Sequence, residues 1–250
     1  MIGQTITFDG HRLNDLFFVG AVDVGLPEFS ARTEDRTTAD GAVFRSNRLG
    51  SVRIAMELVV KPTSGRTSRE ALSKLLSWLD VDEPRVLTLS EDEGLARLAV
   101  PTGTPTVADS DYNDRLTVEF LQPDPALWGT TRTITIPSTG SVTFVVSGDY
   151  PTRPSVHAAL AVRSPSTEQW GLRLDRGRSD MQQMSVPLAG SSGHAVDFDC
   201  EARTCHVDLA TTVPSLASDW FVIAPGTHSI DNNNGTHNLC ELTWTERWHR

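Results

Sequence analysis

Residues 51–61 read S-V-R-I-A-M-E-L-V-V-K, and no other stretch limits the fold of this 250-residue chain as tightly. Val52, Ile54, Met56, Leu58 and Val60 alternate with Arg53, Ala55, Glu57, Val59 and Lys61. A period of two sends successive side chains to opposite faces of a sheet, so the stretch is a half-buried strand. Its flanks differ sharply. Residues 33–50 are polar and lack any core periodicity, which predicts a long loop or extended hairpin arm with Asp40-Gly41 at its tip. A loop of that length in a compact domain is usually functional or interfacial. On the other side, past residues 62–66, comes the one convincing helix of the chain. Thr67-Ser68-Arg69-Glu70 is a T-x-x-E capping box, and Leu72, Leu75, Leu76 and Leu79 then form a single apolar stripe.

The rest of the chain reads as short strands. Asp9-Gly10 tolerates positive φ at both turn positions and predicts a hairpin whose return strand runs through Leu13 toward Val19. Residues 85–89 and 95–100 flank Glu91 to Gly94 as a second hairpin; Asp109 to Asp114 is an acidic turn before the alternating strand 115–121. Two prolines and a glycine in Gln122 to Gly129 mark a domain boundary, giving domains at 1–128 and 129–250. Beyond it, residues 133–136 and 142–146 form a hairpin, and strands follow near 155–162, 170–174, 184–188, 194–200, 204–209, 220–223 and 238–248. Asn234-Gly235-Thr236 reads as a turn. Many strands at regular spacing argue a β-sandwich.

Composition narrows the function. The formal net charge is −10, carried mostly by the first 125 residues, and this opposes binding to phosphate backbones. The first ten residues read directly as a strand with no signal peptide, and no run approaches the roughly 18 apolar residues of a membrane span. Cys200, Cys205 and Cys240 are too few for a disulfide framework. Folding in a cytoplasm is the expectation.

No nucleophile elbow, phosphate loop or H-E-x-x-H occurs. The best metal candidates are His194, Asp197, Asp199, Cys200, Cys205 and His206, and strand parity divides them. Val196, Phe198 and Cys200 share one face with Cys205, Val207 and Leu209; Asp197, Asp199, His206 and Asp208 take the other. Thiolates and imidazole therefore do not converge, and no metal or other cofactor is expected. Acidic pairs such as Glu91/Glu93 and Asp109/Asp111 lie in turns, where solvated charge explains them. Trp244 alternates with Cys240 and Leu242 and is expected in the core; Trp170 and Trp220 stand beside turns and are candidate glycan- or partner-contact aromatics. The expectation is a protein that is not an enzyme.

Taken in order, these stretches resemble the distal tail proteins of siphophages, the bacteriophages with long, non-contractile tails. The resemblance lies in Phe29-Ser30-Ala31-Arg32 leading to Asp40-Gly41, then Arg48 through Ile54 and the alternating strand, the leucine-rich helix, and the hairpin from Arg85 to Val100. Phe120 to Trp128 resembles the family's domain-closing strand and D-P-aromatic turn, although Ala126 and Leu127 intervene before Trp128. Trp220 to Ile230 and Leu242 to Trp248 resemble its terminal P-G turn and last strand. Residues 133–190 are placed only by their position between these ends.

The resemblance implies a mainly β architecture: a β-rich, ring-forming N-terminal (belt) domain with one α-helix, then a galectin-like β-sandwich. It implies a homo-hexameric ring in the virion tail, assembled in the bacterial host cytoplasm. The ring would join the tail tube to the tail tip or baseplate and leave a channel through which DNA passes without specific binding. Implied partners are further copies of the chain, the tail tube protein, the tail-associated lysin or hub protein and receptor-binding proteins; no membrane is among them. Arg32, Arg36, Asp40, Gly41, Arg45 and Arg48 on the polar arm are then candidates for reaching a neighbouring subunit or lining the channel. Two other classes stay open: a carbohydrate-binding module for host-surface glycans using Trp170 or Trp220, and a metal-dependent hydrolase built on the His194 to Cys205 cluster.

Overall fold

The computed structural model describes residues 4–37, 40–61, 67–108, 115–160, 169–188, 193–234 and 237–249. The acidic turn at Asp109 to Asp114 and the Gly235-Thr236 part of the expected turn lie outside them. The chain divides into two compact units, residues 1–128 and 129–249.

The first unit contains β1 (Ile6–Phe8), β2 (His11–Arg12), β3 (Phe17–Val24), β4 (Phe29–Asp35), β5 (Ala42–Leu49), β6 (Val52–Val60), α1 (Ser68–Leu79), β7 (Arg85–Leu89), β8 (Arg97–Ala108) and β9 (Arg115–Gln122). Seven of these strands make one sheet in the order β2-β1-β7-β8-β9-β6-β3. The alternating strand is β6, flanked along its length by β9 and β3. Its Val52, Ile54, Met56, Leu58 and Val60 are buried, as the periodicity predicts. They meet Ile6, Phe8, Leu87, Leu116, Val118 and Phe120 in one core, closed by Ala71, Leu75 and Leu79 of α1.

The helix begins as the capping box requires: Glu70 N–H donates to Thr67 Oγ1 at 3.3 Å, and Thr67 N–H to Glu70 Oε2 at 3.0 Å. Its buried face is turned relative to the leucine stripe. Ala71 points inward, Leu72 is half-buried and Leu76 is 55% exposed, because the core admits only the line from Ala71 through Leu75 to Leu79. At Asp9-Gly10 both residues have positive φ, 47° and 77°, and Phe8 pairs with His11 across the turn. The return strand then stops after two residues. A 3₁₀ turn at Leu13–Asp15 buries Leu13 and swings the chain across to β3, beside β6.

The boundary stretch after β9 is tied down by a buried arginine. Arg97, fully buried, forms a two-pronged pair with Asp92 (Nε–Oδ2 2.8 Å, Nη2–Oδ1 2.6 Å) and donates Nη1 to Gln122 Oε1 at 3.1 Å. Gln122 Nε2 in turn donates to the carbonyls of Asp124 and Ala126. Paired and hydrogen-bonded in this way, a buried charge is tolerated; left alone it would not be.

The second unit is a β-sandwich. Its strands are β10 (Leu127–Thr135), β11 (Ser141–Val146), β12 (Ser155–Leu160), β13 (Gln169–Leu174), β14 (Gln182–Pro187), β15 (Ala195–Asp199), β16 (Thr204–Val207), β17 (Ala210–Thr211), β18 (Gly226–Asn234) and β19 (His237–Trp248). One sheet runs β10-β19-β12-β15-β16-β17 and the other β11-β18-β13-β14, and both supply side chains to a single core. Residues 133–136 and 142–146 therefore do not pair as a hairpin. Ile136, 1% exposed, is drawn into the core, and the chain changes sheets there. Residues 220–223 are not a strand either; Phe221 and Ile223 plug the core from a loop, with one bridge to Thr152.

Candidate functional site

The polar stretch before β6 folds as a hairpin of its own. Among the described residues β4 and β5 pair only with each other, from Phe29↔Leu49 to Asp35↔Ala42, and the Arg36 N–H donates to the Gly41 carbonyl at the tip. Its root is anchored by Gly25 N–H to Arg53 O at 2.9 Å and Gly50 N–H to Glu28 O at 2.8 Å. The arm thus starts at Phe29, earlier than the polar composition suggests. Every residue of β4 is exposed and none of β5 is buried. Such a two-stranded ribbon is marginal alone in water and needs a covering surface.

Register divides the arm into two faces. Phe29, Ala31 and Thr33 stand opposite Leu49, Asn47 and Phe44; Ser30, Arg32 and Glu34 stand opposite Arg48, Ser46 and Val43. The ladder slips by one residue between Arg32 and Thr33, leaving Arg45 as the extra residue, and Arg45 Nε reaches Glu34 Oε2 at 2.6 Å. An exposed pair of this kind contributes at most about 1 kcal/mol. Arg32, Arg36, Asp40, Gly41, Arg45 and Arg48 all lie on this exposed hairpin, so the structure brings the six candidates onto one projecting element. The first face, with Phe29 at 71% and Phe44 at 62% exposure, is apolar. The polar composition had hidden it.

In the sandwich the two candidate tryptophans separate. Trp170 is fully buried on β13, stacked on Phe198 with ring centroids 6.3 Å apart. It is a core residue and cannot touch a glycan or partner. The close fit extends to Gly171, where a Cβ would lie 2.4 Å from the Met184 carbonyl oxygen. Trp220 is half-buried and lines a cleft of ≈ 410 Å³ with Met184, Thr204, Thr211, Thr212 and Ser215. Trp244 is buried, as its alternation predicts.

The His/Cys cluster divides as parity predicts. Cys200 and Cys205 are buried free thiols. Burial pushes Cys200 up to about 12 and Cys205 to about 11, so neither is a thiolate at neutral pH. Parity ends after Val207: Asp208 and Leu209 take positive φ in a turn, and Leu209 is 91% exposed. The polar partners pair among themselves, His194 Nδ1 with Asp208 Oδ2 at 2.5 Å and His157 Nδ1 with Asp197 Oδ1 at 2.6 Å. The His194 hydrogen bond and the Ala195 amide hold Asp208 below the usual carboxylate range. Among the described residues no three His, Cys, Asp or Glu side chains are placed to hold a metal ion. The register shows a row that the sequence conceals: Glu241, His157, Asp197 and His206 stand side by side across β19, β12, β15 and β16. Only long-range pairing assembles it.

Two family models match the chain in tandem. Residues 8–122 match the phage tail protein RIFT-related domain, and residues 147–248 match the siphovirus-type tail component, C-terminal domain. The chain belongs to the siphophage distal tail protein family. Among solved structures, this tail protein is similar to the Dit protein of phage SPP1, described as a paradigm of the hub adsorption apparatus in phages infecting Gram-positive bacteria. The two are 18% identical over 98% of each chain, with a TM-score of 0.75, so the likeness is one of fold. The baseplate of phage P2 in its activated conformation with Ca is a more distant likeness, 9% identical over 98% of each chain at a TM-score of 0.47. No curated protein sequence matches this tail protein.

Proposed function

We propose that this tail protein works by assembly alone: it forms a hexameric ring that joins the tail tube to the tail tip or baseplate of a siphophage virion. The observation that carries the reading is the β4–β5 hairpin. Among the described residues, strands such as β6 bury one face in their own domain whereas the hairpin buries neither, which supports a covering surface from another molecule. Residues 1–128 act as the belt that closes the ring, and residues 129–250 as a galectin-like sandwich. The tail tube protein binds one side of the ring; the tail-associated lysin or hub protein and receptor-binding proteins attach at the other side and at the periphery. The arm candidates, Arg32, Arg36, Asp40, Gly41, Arg45 and Arg48, reach the neighbouring subunit or border the channel. A net charge of −10 suits a conduit for DNA, since a wall of like charge does not trap passing phosphates. No step of this function needs a catalytic residue or cofactor.

The test is the native mass of the purified full chain with electron micrographs of the same sample. Rings of six are the expected result; a monomer at every concentration up to the solubility limit would contradict it. The alternative reading, a glycan-binding sandwich, loses Trp170 to the core and rests on the Trp220 cleft. Titration with host cell-wall saccharide is expected to leave tryptophan fluorescence unchanged, and a saturable change abolished by Trp220→Ala would revive it.

A further inference from the structure

We propose that His228 is a buried imidazolium that latches residues 219–225 to the sandwich, and that losing one ring proton as pH rises releases this segment. The latch lies within the second unit and does not depend on the ring reading. His228 sits on β18, 7% exposed, with its ring centroid 5.9 Å from that of Phe144 on β11. Its Nδ1 stands 2.6 Å from Asp175 Oδ2 and its Nε2 stands 2.7 Å from the Ala224 carbonyl oxygen. A carbonyl oxygen only accepts hydrogen bonds, and so does an ionised carboxylate. Neutral histidine donates from one nitrogen alone, so a ring that makes both bonds carries both hydrogens. Asp175 is in the ionised form this requires. Burial by itself would raise its carboxyl, but hydrogen bonds from His228 and the Ser229 amide, with the charges of His228 and Arg178, hold it below its ordinary 3.8.

Each element packed on the ring presents a different group. The turn after β13 brings Asp175 and, behind it, Arg178, whose Nη1 is 3.6 Å from Asp175 Oδ1. β11 brings Phe144, and the segment before β18 brings the Ala224 carbonyl. Asp231, further along β18, pairs with Arg173 and Arg176 on the opposite side of the sheet. Residues 219–225 form no strand, yet they carry Phe221 and Ile223 into the core and Trp220 to its cleft. The Asp219 N–H donates to the Gln183 carbonyl, the Gln182 side chain bonds both the N–H and the carbonyl of Val222, and Ile223 bridges to Thr152. Those amide bonds do not titrate near neutral pH; the bond from His228 does. When the ring loses a proton, the carboxylate keeps the Nδ1 hydrogen because it is the stronger acceptor. Nε2 then turns a lone pair toward the Ala224 oxygen, and two buried acceptors face each other, which costs more than a missing bond. Release therefore falls on residues 219–225 and spares the Asp175 turn. The latch is closed at low pH, while Asp175 stays ionised, and opens as pH rises.

The experiment uses the full chain. Amide hydrogen exchange, corrected for the intrinsic effect of pH and resolved by peptide, is followed from about pH 6 to about pH 9, across the range in which histidine titrates. Residues 219–225 should lose protection by about tenfold or more, the equivalent of one hydrogen bond to a charged group, while β13 and β14 keep theirs. In His228→Gln, which cannot titrate, the segment's protection should no longer change with pH. In parallel, nitrogen NMR of the wild type at about pH 7, where free histidine is mostly neutral, should show one of the seven histidines with both ring nitrogens protonated, a signal absent from His228→Gln. Should that variant not fold, the wild-type exchange profile decides by itself. Constant protection of residues 219–225 across the range, or a His228 ring with a single protonated nitrogen at about pH 7, would overturn the latch.

Discussion

β4 and β6 lie 16 residues apart, belong to one domain and are both regular strands, yet they hold their side chains in opposite environments. β6 buries alternate residues against two neighbouring strands and a helix; β4 buries none and, among the described residues, pairs with β5 alone. Backbone pairing is similar in the two, so it does not account for the difference. What separates them is whether a core lies under one face. β6 is held by burial, at roughly 25 cal/mol for each Å² of apolar surface removed from water. The arm lacks that term within the chain, and an element that gains nothing from its own fold is free to serve a contact elsewhere.

The contrast can be broken most forcefully at the buried charge. Arg97→Ala strands Asp92 and Gln122 without their partner and should cost about 3–5 kcal/mol in a urea titration. A loss below 1 kcal/mol would mean that the Asp92–Arg97–Gln122 network does not hold the first unit together. Leu58→Ala on β6 should cost about 2–5 kcal/mol, in line with a fully buried side chain whose cavity relaxes only in part. On the helix, Thr67→Ala removes the capping hydroxyl and should cost about 1 kcal/mol. On the arm, Phe44→Ser should change the stability of the isolated chain by no more than about 0.5 kcal/mol despite removing an entire aromatic ring. A large loss there would place Phe44 in a core.

The second unit offers the same comparison in pH. Burial by itself would raise the carboxyl of Asp175, but hydrogen bonds from His228 and the Ser229 amide, with the charges of His228 and Arg178, hold it below its ordinary 3.8. A carboxyl depressed in the folded state adds stability above its unfolded value, and that stability is lost as pH falls through the folded value. Acid melts should therefore show wild type and Asp175→Asn converging as pH drops below about 4. Curves that stay parallel across that window would show that Asp175 gives no pH-linked stability.

Where local chemistry decides the conformation, the residues announced it. The period of two in β6, the T-x-x-E box before α1 and the Asp-Gly turn need only near neighbours, and each is where its residues put it. Long-range layering was less legible. Residues 133–136 and 142–146 look like a hairpin until the burial of Ile136 shows that the chain changes sheets there. β18 was missed because its core-facing positions include His228, whose Nδ1 pairs with Asp175 just beyond β13, while on its other face Asp231 pairs with Arg173 of β13, so no apolar alternation appears. Trp170 beside a turn resembled a binding aromatic, and only the position of the opposite sheet reveals that it fills the core. The arm was legible as an interruption between two ordered elements, but its apolar face was not: Phe29, Phe44 and Leu49 share a face only through cross-strand pairing and a one-residue slip.

The central claim is that the hairpin is used between molecules rather than within one. The most direct measurement compares native mass and electron micrographs of the full chain with those of a variant whose residues 33–45 are replaced by an Asn-Gly turn, which joins the paired positions Arg32 and Ser46. Hexameric rings from the full chain and folded monomers from the shortened one are expected. Rings from the shortened chain, or its failure to fold, would contradict the account.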